Sequence, residues 1–278
     1  MKLITIEGGR IEEVWFKTIK ACVELGHNYV IDKGEYEGTQ RREFDLATLR
    51  ITSPGIRPLA CQSQSITPTT DEEIEKYFQN YLMNPDFDDP EEEKRNEYKY
   101  ATWIAPMWQA CCDMLVQGEG GCNQATISTT SQMPELKTEI EEIFVVENVL
   151  NPPVSHQSRY IIKEAWIEDT TLKQPPCLRV IDMRIRYGKL HFFVYFRSWD
   201  LIAGLPENLG GIQLLKEWCL DYINAELSDR GKPLLQDGEI IAMSKGLHIY
   251  DHFWDMAKEY VGEESSALEI PGVHVIGA

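Results

Sequence analysis

The stretch "PCLRVIDMRIRYGKLHFFVYFRSWD", residues 176–200, restricts the fold more than any other part of the chain. Ile181, Met183 and Ile185 alternate with Asp182, Arg184 and Arg186, the period-two signature of a strand with one wet face. Tyr187-Gly188-Lys189 turns the chain, and "LHFFVYFR" returns as a second strand. A hairpin turning there sets residue 177 opposite residues 197 to 199. Cys177, Arg197 and Ser198 then share one end of a sheet. Pro175 and Pro176 stiffen the approach to the cysteine.

Helical periods surround this hairpin. Ile11, Val14, Ile19 and Val23 recur at helical spacing and stop at Gly26. "TPTTDEEIEKYFQNYL" starts a helix with Thr70 or Asp71 as N-cap and acids in its first turn. Further helices are expected over about 104–116, from Pro206 to about Leu227, and in "DHFWDMAKEYV". Extended segments are expected at 43–52, in "QATIST", in "RYIIKEAWI", and in "GEIIAMSKGLHIY", read as one strand. The segment "ELKTEIEEIFVVENVL" reads as helix. Strands and helices without regular βαβ alternation indicate an α+β fold.

Composition narrows the function classes. A chain of 278 residues with 43% hydrophobic and 26% charged residues is of ordinary globular composition. No stretch approaches the roughly 18 to 20 apolar residues of a membrane span, and the amino terminus lacks the apolar run of a signal peptide. The expectation is a soluble, cytoplasmic protein. A formal net charge of −18 argues against a nucleic-acid partner. Seven cysteines, an odd number without paired C-x-x-C spacing, argue against a disulfide framework and a zinc site; no metal is expected. Residues 173–197 nevertheless gather Lys173, Arg179, Arg184, Arg186, Lys189 and Arg197 against the single acid Asp182. That local excess suits a small anion such as a phosphate, or is simply a solvated strand edge.

At the end of the hairpin, a guanidinium beside Cys177 lowers a thiol's pKa and strengthens it as a nucleophile. The same arginine, with Ser198, suits a phosphate held by charge-assisted hydrogen bonds. "PPC", then "RS-x-D" twenty residues on, "GLPEN" and "GLHIY" arrive in order. This set resembles the thymidylate synthase family over about residues 158–255, most closely its shorter archaeal type. The resemblance implies a single thymidylate synthase-like domain over 1–278, with a large mixed β-sheet flanked by helices.

It also implies roles. Cys177 adds to C6 of deoxyuridylate, and Asn208 hydrogen-bonds the pyrimidine edge and steadies the enolate. Arg197 and Ser198 hold the 5′-phosphate. The Asp200 backbone contacts the base, while His248 and Tyr250 hold the 3′-hydroxyl. A reduced pterin, 5,10-methylenetetrahydrofolate or methylene-tetrahydromethanopterin, delivers the one-carbon unit. The amino-terminal phosphate arginine is Arg41 or Arg42, with Arg42 carried forward; the general-base glutamate is Glu75. Arg159, in "SHQSRYIIKEAW", reaches the partner subunit's site in a homodimer. Departures from the family pattern are Leu178 after the cysteine, Phe196 before Arg-Ser, Glu207 before Asn208, and Tyr160 after Arg159. Asn208 also reads as a helix cap and His248 with Tyr250 as residues at a core edge. The competing activities are 5-hydroxymethylation of a pyrimidine nucleotide (dUMP, dCMP or CMP) and nucleotide binding without turnover. Asparagine at 208 favours uracil, since it donates to O4 and accepts from N3–H.

Overall fold

The computed structural model describes residues 1–32, 36–61, 68–87, 98–118, 121–129, 176–262 and 266–277. The chain opens with β1 (Leu3–Gly8), α1 (Ile11–Leu25), β2 (His27–Val30), β3 (Gln40–Glu43) and β4 (Leu46–Ile51). Next come α2 (Asp71–Tyr77), a π-helical turn (Phe78–Met83), α3 (Ala101–Gln117) and β5 (Thr126–Ser128). The carboxy-terminal half holds β6 (Leu178–Arg186), β7 (Lys189–Phe196), β8 (Trp199–Asp200) and α4 (Gly204–Asp229). It ends with β9 (Gln236–Ser244), β10 (Leu247–Tyr250), α5 (Trp254–Val261) and β11 (Val273–Ile276). The strand expected in "RYIIKEAWI", the helix expected in "ELKTEIEEIFVVENVL", Lys173 and Arg159 lie outside the described residues.

Seven strands form one mixed sheet in the order β11-β1-β4-β9-β7-β6-β5. The β1–β4 and β7–β9 pairs are parallel, and the other pairings in this sheet are antiparallel. A second sheet runs β2-β3-β10-β8. This is the expected α+β architecture, a large mixed sheet with helices packed on it. Alternation decides which face is covered: Ala47, Leu49 and Ile51 of β4, Phe192, Val194 and Phe196 of β7, and Ile240 and Ala242 of β9 are buried. The intervening residues line a more open face, where Met243 is 42% exposed. No described helix is long and apolar enough to cross a membrane.

The central hairpin follows its pattern closely. Leu178 pairs with Phe196 and Arg186 with Lys189, leaving Tyr187 and Gly188 as a two-residue turn with φ of 54° and 69°. Positive φ at both turn positions matches the right-handed twist of the strands. Helix α2 begins with the expected cap: Thr70 accepts from the Glu73 N–H while the Glu73 carboxylate accepts from the Thr70 N–H.

One expectation needs revision. The segment read as one strand in "GEIIAMSKGLHIY" is two, β9 in the large sheet and β10 in the small one. The break falls at Lys245–Gly246, where the Gly246 N–H turns back onto the Ser244 hydroxyl at 3.2 Å. The tail "EIPGVHVIGA" places β11 at the edge of the large sheet, against β1.

Candidate active site

The site is assembled where β6 begins, β7 ends and the small sheet begins. Cys177 immediately precedes β6, and its carbonyl accepts the Arg197 N–H at 2.8 Å. Arg197 Nε donates to the Pro176 carbonyl at 3.0 Å. The expected opposition of 177 and 197 is therefore a backbone pairing that extends the hairpin by one step beyond Leu178–Phe196. The opposite side of Cys177 is held by tyrosines. The Leu178 N–H donates to the Tyr100 hydroxyl at 3.1 Å, and the Tyr98 hydroxyl is turned to the Cys177 backbone. Thr129 donates to the Leu178 carbonyl.

The thiol is only partly buried, so it is open to a ligand. Its pKa nevertheless lies above the usual cysteine value. Burial is the larger influence, and the guanidinium groups of Arg197 and Arg179 pull the other way without overcoming it. The expectation of a lowered thiol pKa is corrected accordingly. In the free protein the thiol is protonated at neutral pH.

Asn208 enters from the first turns of α4. Its carboxamide oxygen accepts from Trp199 Nε1 at 2.9 Å, and Nδ2 donates to the Tyr77 hydroxyl at 2.9 Å. Asn208 is thus not the α4 cap; no side-chain cap bond opens that helix. The Asp200 carboxylate takes up the first free amides there, accepting from Ile202 N at 2.8 Å and Ala203 N at 3.1 Å. Tyr77 stacks on Tyr81, with ring centroids 5.4 Å apart, and Tyr81 meets Tyr100 edge-on at 5.3 Å. A continuous tyrosine wall therefore joins Asn208 to Cys177.

Glu75 is not part of this wall. It is exposed on α2, because two residues along a helix turn about 200° and Tyr77 is the residue facing inward. The carboxyl near Tyr77 is Glu207, which acts electrostatically on the Tyr77 hydroxyl. Burial, helped by Glu73, raises the Glu207 pKa.

The small sheet supplies the third side. His248 is 2% exposed; its Nδ1 lies 2.7 Å from the Gly246 carbonyl, which makes Nδ1 the protonated nitrogen. Burial pulls its pKa down to about 4, so the ring is neutral and Nε2 carries a lone pair. That Nε2 is buried without a hydrogen-bond partner among the described residues. Tyr250 lies 4.6 Å from the His248 ring, edge-on, and burial raises its hydroxyl to about 12. Strand pairing separates the two arginines of β3. Arg41 lies opposite Tyr250 and Glu43 opposite His248, whereas Arg42 lies opposite Ile249. Residues directly opposite share a face, so Arg41 is on the site side, paired with Glu43 at 2.7 Å. Arg42 instead donates to the Val23 carbonyl at 2.7 Å and to Asn28 at 3.0 Å. Of the two arginines, Arg41 faces the site, whereas Arg42, the one carried forward from the sequence, faces α1. Ser198 lies partly buried between Arg197 and β8.

Sequence reasoning passed over Tyr77, Tyr98, Tyr100 and Trp199. The density of aromatics in "YKYATW" was the available signal for Tyr98 and Tyr100.

This arrangement agrees with comparisons to known proteins. The thymidylate synthase family model matches residues 129–275, just over half of the chain. A Methanosarcina barkeri protein provisionally named thymidylate synthase is 35% identical over 120 residues, 42% of this chain and 49% of that protein. A thymidylate synthase of Novosphingobium aromaticivorans is 30% identical over 122 residues, 43% of this chain and 35% of that protein. The matches thus span half the length of these curated relatives or less. Among solved structures, thermostable thymidylate synthase A from Bacillus subtilis superposes with a TM-score of 0.55 at 13% identity, covering 92% of this chain and 85% of that one. That likeness is one of fold, and together with the family match it establishes that the chain belongs to the thymidylate synthase family.

Proposed function

We propose that this chain methylates deoxyuridylate at C5, giving thymidylate through a covalent adduct between Cys177 and C6. The observation that carries the reading is the Cys177–Arg197 pairing, which holds a partly buried thiol beside a guanidinium while the tyrosine wall ties both to the Asn208 amide. Arg197, Ser198 and Arg41 bind the 5′-phosphate, and Arg159 of the partner subunit completes that site. The neutral His248 Nε2 accepts from the 3′-hydroxyl, Tyr250 hydrogen-bonds the same group, and the backbone at Asp200 contacts the base.

Cys177 gives up its proton to water and its sulfur bonds to C6, shifting the C5–C6 electron pair toward C5 and O4. The Asn208 amide stabilises the charge on O4. Glu207, a half-buried carboxyl beside Tyr77, accepts the proton lost from C5; a raised pKa suits a general base. Departure of the Cys177 sulfur restores the ring double bond. The partly exposed rings of Tyr81 and Tyr98 fit a pterin ring beside the base. When bound, a reduced pterin (methylenetetrahydrofolate or methylene-tetrahydromethanopterin) supplies the methylene unit and the hydride that completes the methyl group.

The open face of the large sheet supports a homodimer, with Phe193 beside Ile241 and Tyr195 beside Met243 across the β7–β9 pair. The decisive assay is release of tritium from C5-labelled deoxyuridylate, dependent on a methylene-tetrahydropterin and accompanied by dihydropterin absorbance. Release without that absorbance makes the reaction a hydroxymethylation. Tight nucleotide binding with no release makes the chain a binding protein.

A further inference from the structure

We infer that Trp199 locks the Asn208 carboxamide, which Tyr77 also holds, in one orientation and thereby selects uracil over cytosine; this rests on the pyrimidine-nucleotide reading above. A carboxamide has two N–H donors and two acceptor lone pairs, nearly interchangeable in shape. Free to turn over, it reads either base: uracil offers an acceptor at O4 and a donor at N3, cytosine a donor at N4 and an acceptor at N3. Asn208 is not free to turn over. An indole N–H can only donate, so the atom 2.9 Å from Trp199 Nε1 must be the oxygen. The nitrogen is left 2.9 Å from the Tyr77 hydroxyl. One N–H and one lone pair remain for the base, in the order that suits uracil. Flipping the amide would set N–H against N–H at Trp199 and leave a buried donor unpaired.

Both partners are themselves fixed. The Trp199 ring is 3% exposed and stacks on Phe196 with centroids 3.9 Å apart and planes 6° apart. Tyr77 rests on Gly211 and its helix neighbour Ile74 on Gly210, in the same turns of α4 that carry Asn208. A Cβ on Gly211 would fall 2.4 Å from the Tyr77 ring, and one on Gly210 2.7 Å from Ile74. The pair Gly210–Gly211 therefore lets α2 approach closely enough for the hydroxyl to reach the amide. The two partners are not equivalent. A hydroxyl donates or accepts as needed, so Tyr77 tolerates either amide orientation. Trp199 does not, and it is the positioning residue that discriminates.

The test is calorimetric titration of dUMP and dCMP into the wild-type protein, Trp199→Phe and Tyr77→Phe. Trp199→Phe keeps a ring on Phe196 and loses only the donor. The ratio of dCMP to dUMP dissociation constants is expected to fall about tenfold or more in this variant. In Tyr77→Phe both nucleotides weaken together and the ratio holds, a split that a purely structural defect in either variant would not produce. If Trp199→Phe does not fold, Trp199→Tyr, whose hydroxyl adapts to either orientation, is expected to show the same fall. An unchanged ratio in the folded Trp199 variant overturns the lock while leaving the nucleotide reading intact. A wild-type protein that binds neither nucleotide overturns both.

Discussion

Cys177 and Arg197 are joined through main-chain atoms, whereas Asn208 and Tyr77 meet through side chains alone. The first pair sits beyond a strand ladder whose register runs unbroken from Val180 to Arg186 of β6 and shifts once, at a bulge between Val180 and Leu178. Slipping it by one position would turn every core residue of the hairpin outward. The second pair depends on how closely one short helix packs on two glycines. The proposed nucleophile is therefore placed by a backbone pairing that neighbouring side-chain changes leave intact, while the proposed base-reading groups are adjustable by packing. Such a division leaves base preference open to change without disturbing the nucleophile.

Removing the sulfur gives the largest expected effect. Cys177→Ser retains the Arg197 pairing, which uses only backbone atoms, so thymidylate formation should vanish while dUMP affinity measured by calorimetry stays within a few-fold of wild type. Retained turnover would remove the proposed nucleophile. On the helical side, Glu207→Gln is expected to slow C5 tritium release by about 10²-fold or more. The same change should stabilise the fold. Burial raises the Glu207 pKa above its ordinary 4.5, so folding takes up a proton between the unfolded and folded values. The charged form is penalised in full above the folded value and not at all below 4.5. Thermal melts should show Glu207→Gln gaining less than ~1 kcal/mol at pH 7 and above, with the gain fading as pH falls toward 4.5. A stability gain with undiminished tritium release would make Glu207 a bystander.

The contrast between the two sides also explains what could be read in advance. The hairpin was legible because strand alternation, a Tyr-Gly turn and a fixed count of residues are all local. Its geometry carried Cys177 to Arg197 without further information. The phase of α2 was not legible. Its seven residues give too short a period to say whether Glu75 or Tyr77 faces inward, and Gly210–Gly211, over 130 residues away, decides it. The Cys177 pKa failed for a related reason: charge is written in the sequence, but the depth of burial that outweighs it is not. The division of "GEIIAMSKGLHIY" into β9 and β10 was hidden because both halves alternate alike and only a Ser-Lys-Gly bend parts them.

Gly211→Ala probes the packed side. The added methyl meets the Tyr77 ring in an already filled contact, so a loss of about 1–3 kcal/mol in unfolding free energy is expected. Because Tyr77 must shift, nucleotide affinity and turnover should both fall while the ratio of dCMP to dUMP affinities holds. An intact Tyr77 position in a crystal of the variant, with both properties unchanged, would show that the glycines serve only general packing.

The smallest effects belong to β3, and they test whether strand alternation alone sorts two adjacent arginines. Arg41 shares its face with His248 and Tyr250, so Arg41→Ala should weaken dUMP binding about tenfold, the value of one charge-assisted contact to phosphate. It should also cost stability, since the buried Glu43 Oε2 loses its cation. Arg42 instead donates to the Val23 carbonyl near the end of α1, a backbone acceptor left open at a helix terminus. Arg42→Ala should therefore lower stability by about 1–2 kcal/mol and spare dUMP affinity. Calorimetry on the two variants gives the larger loss of dUMP affinity to Arg41→Ala if alternation governs. If Arg42→Ala weakens the nucleotide more, β3 presents its other face to the site, and the separation drawn between the rigid and the adjustable sides fails at this strand.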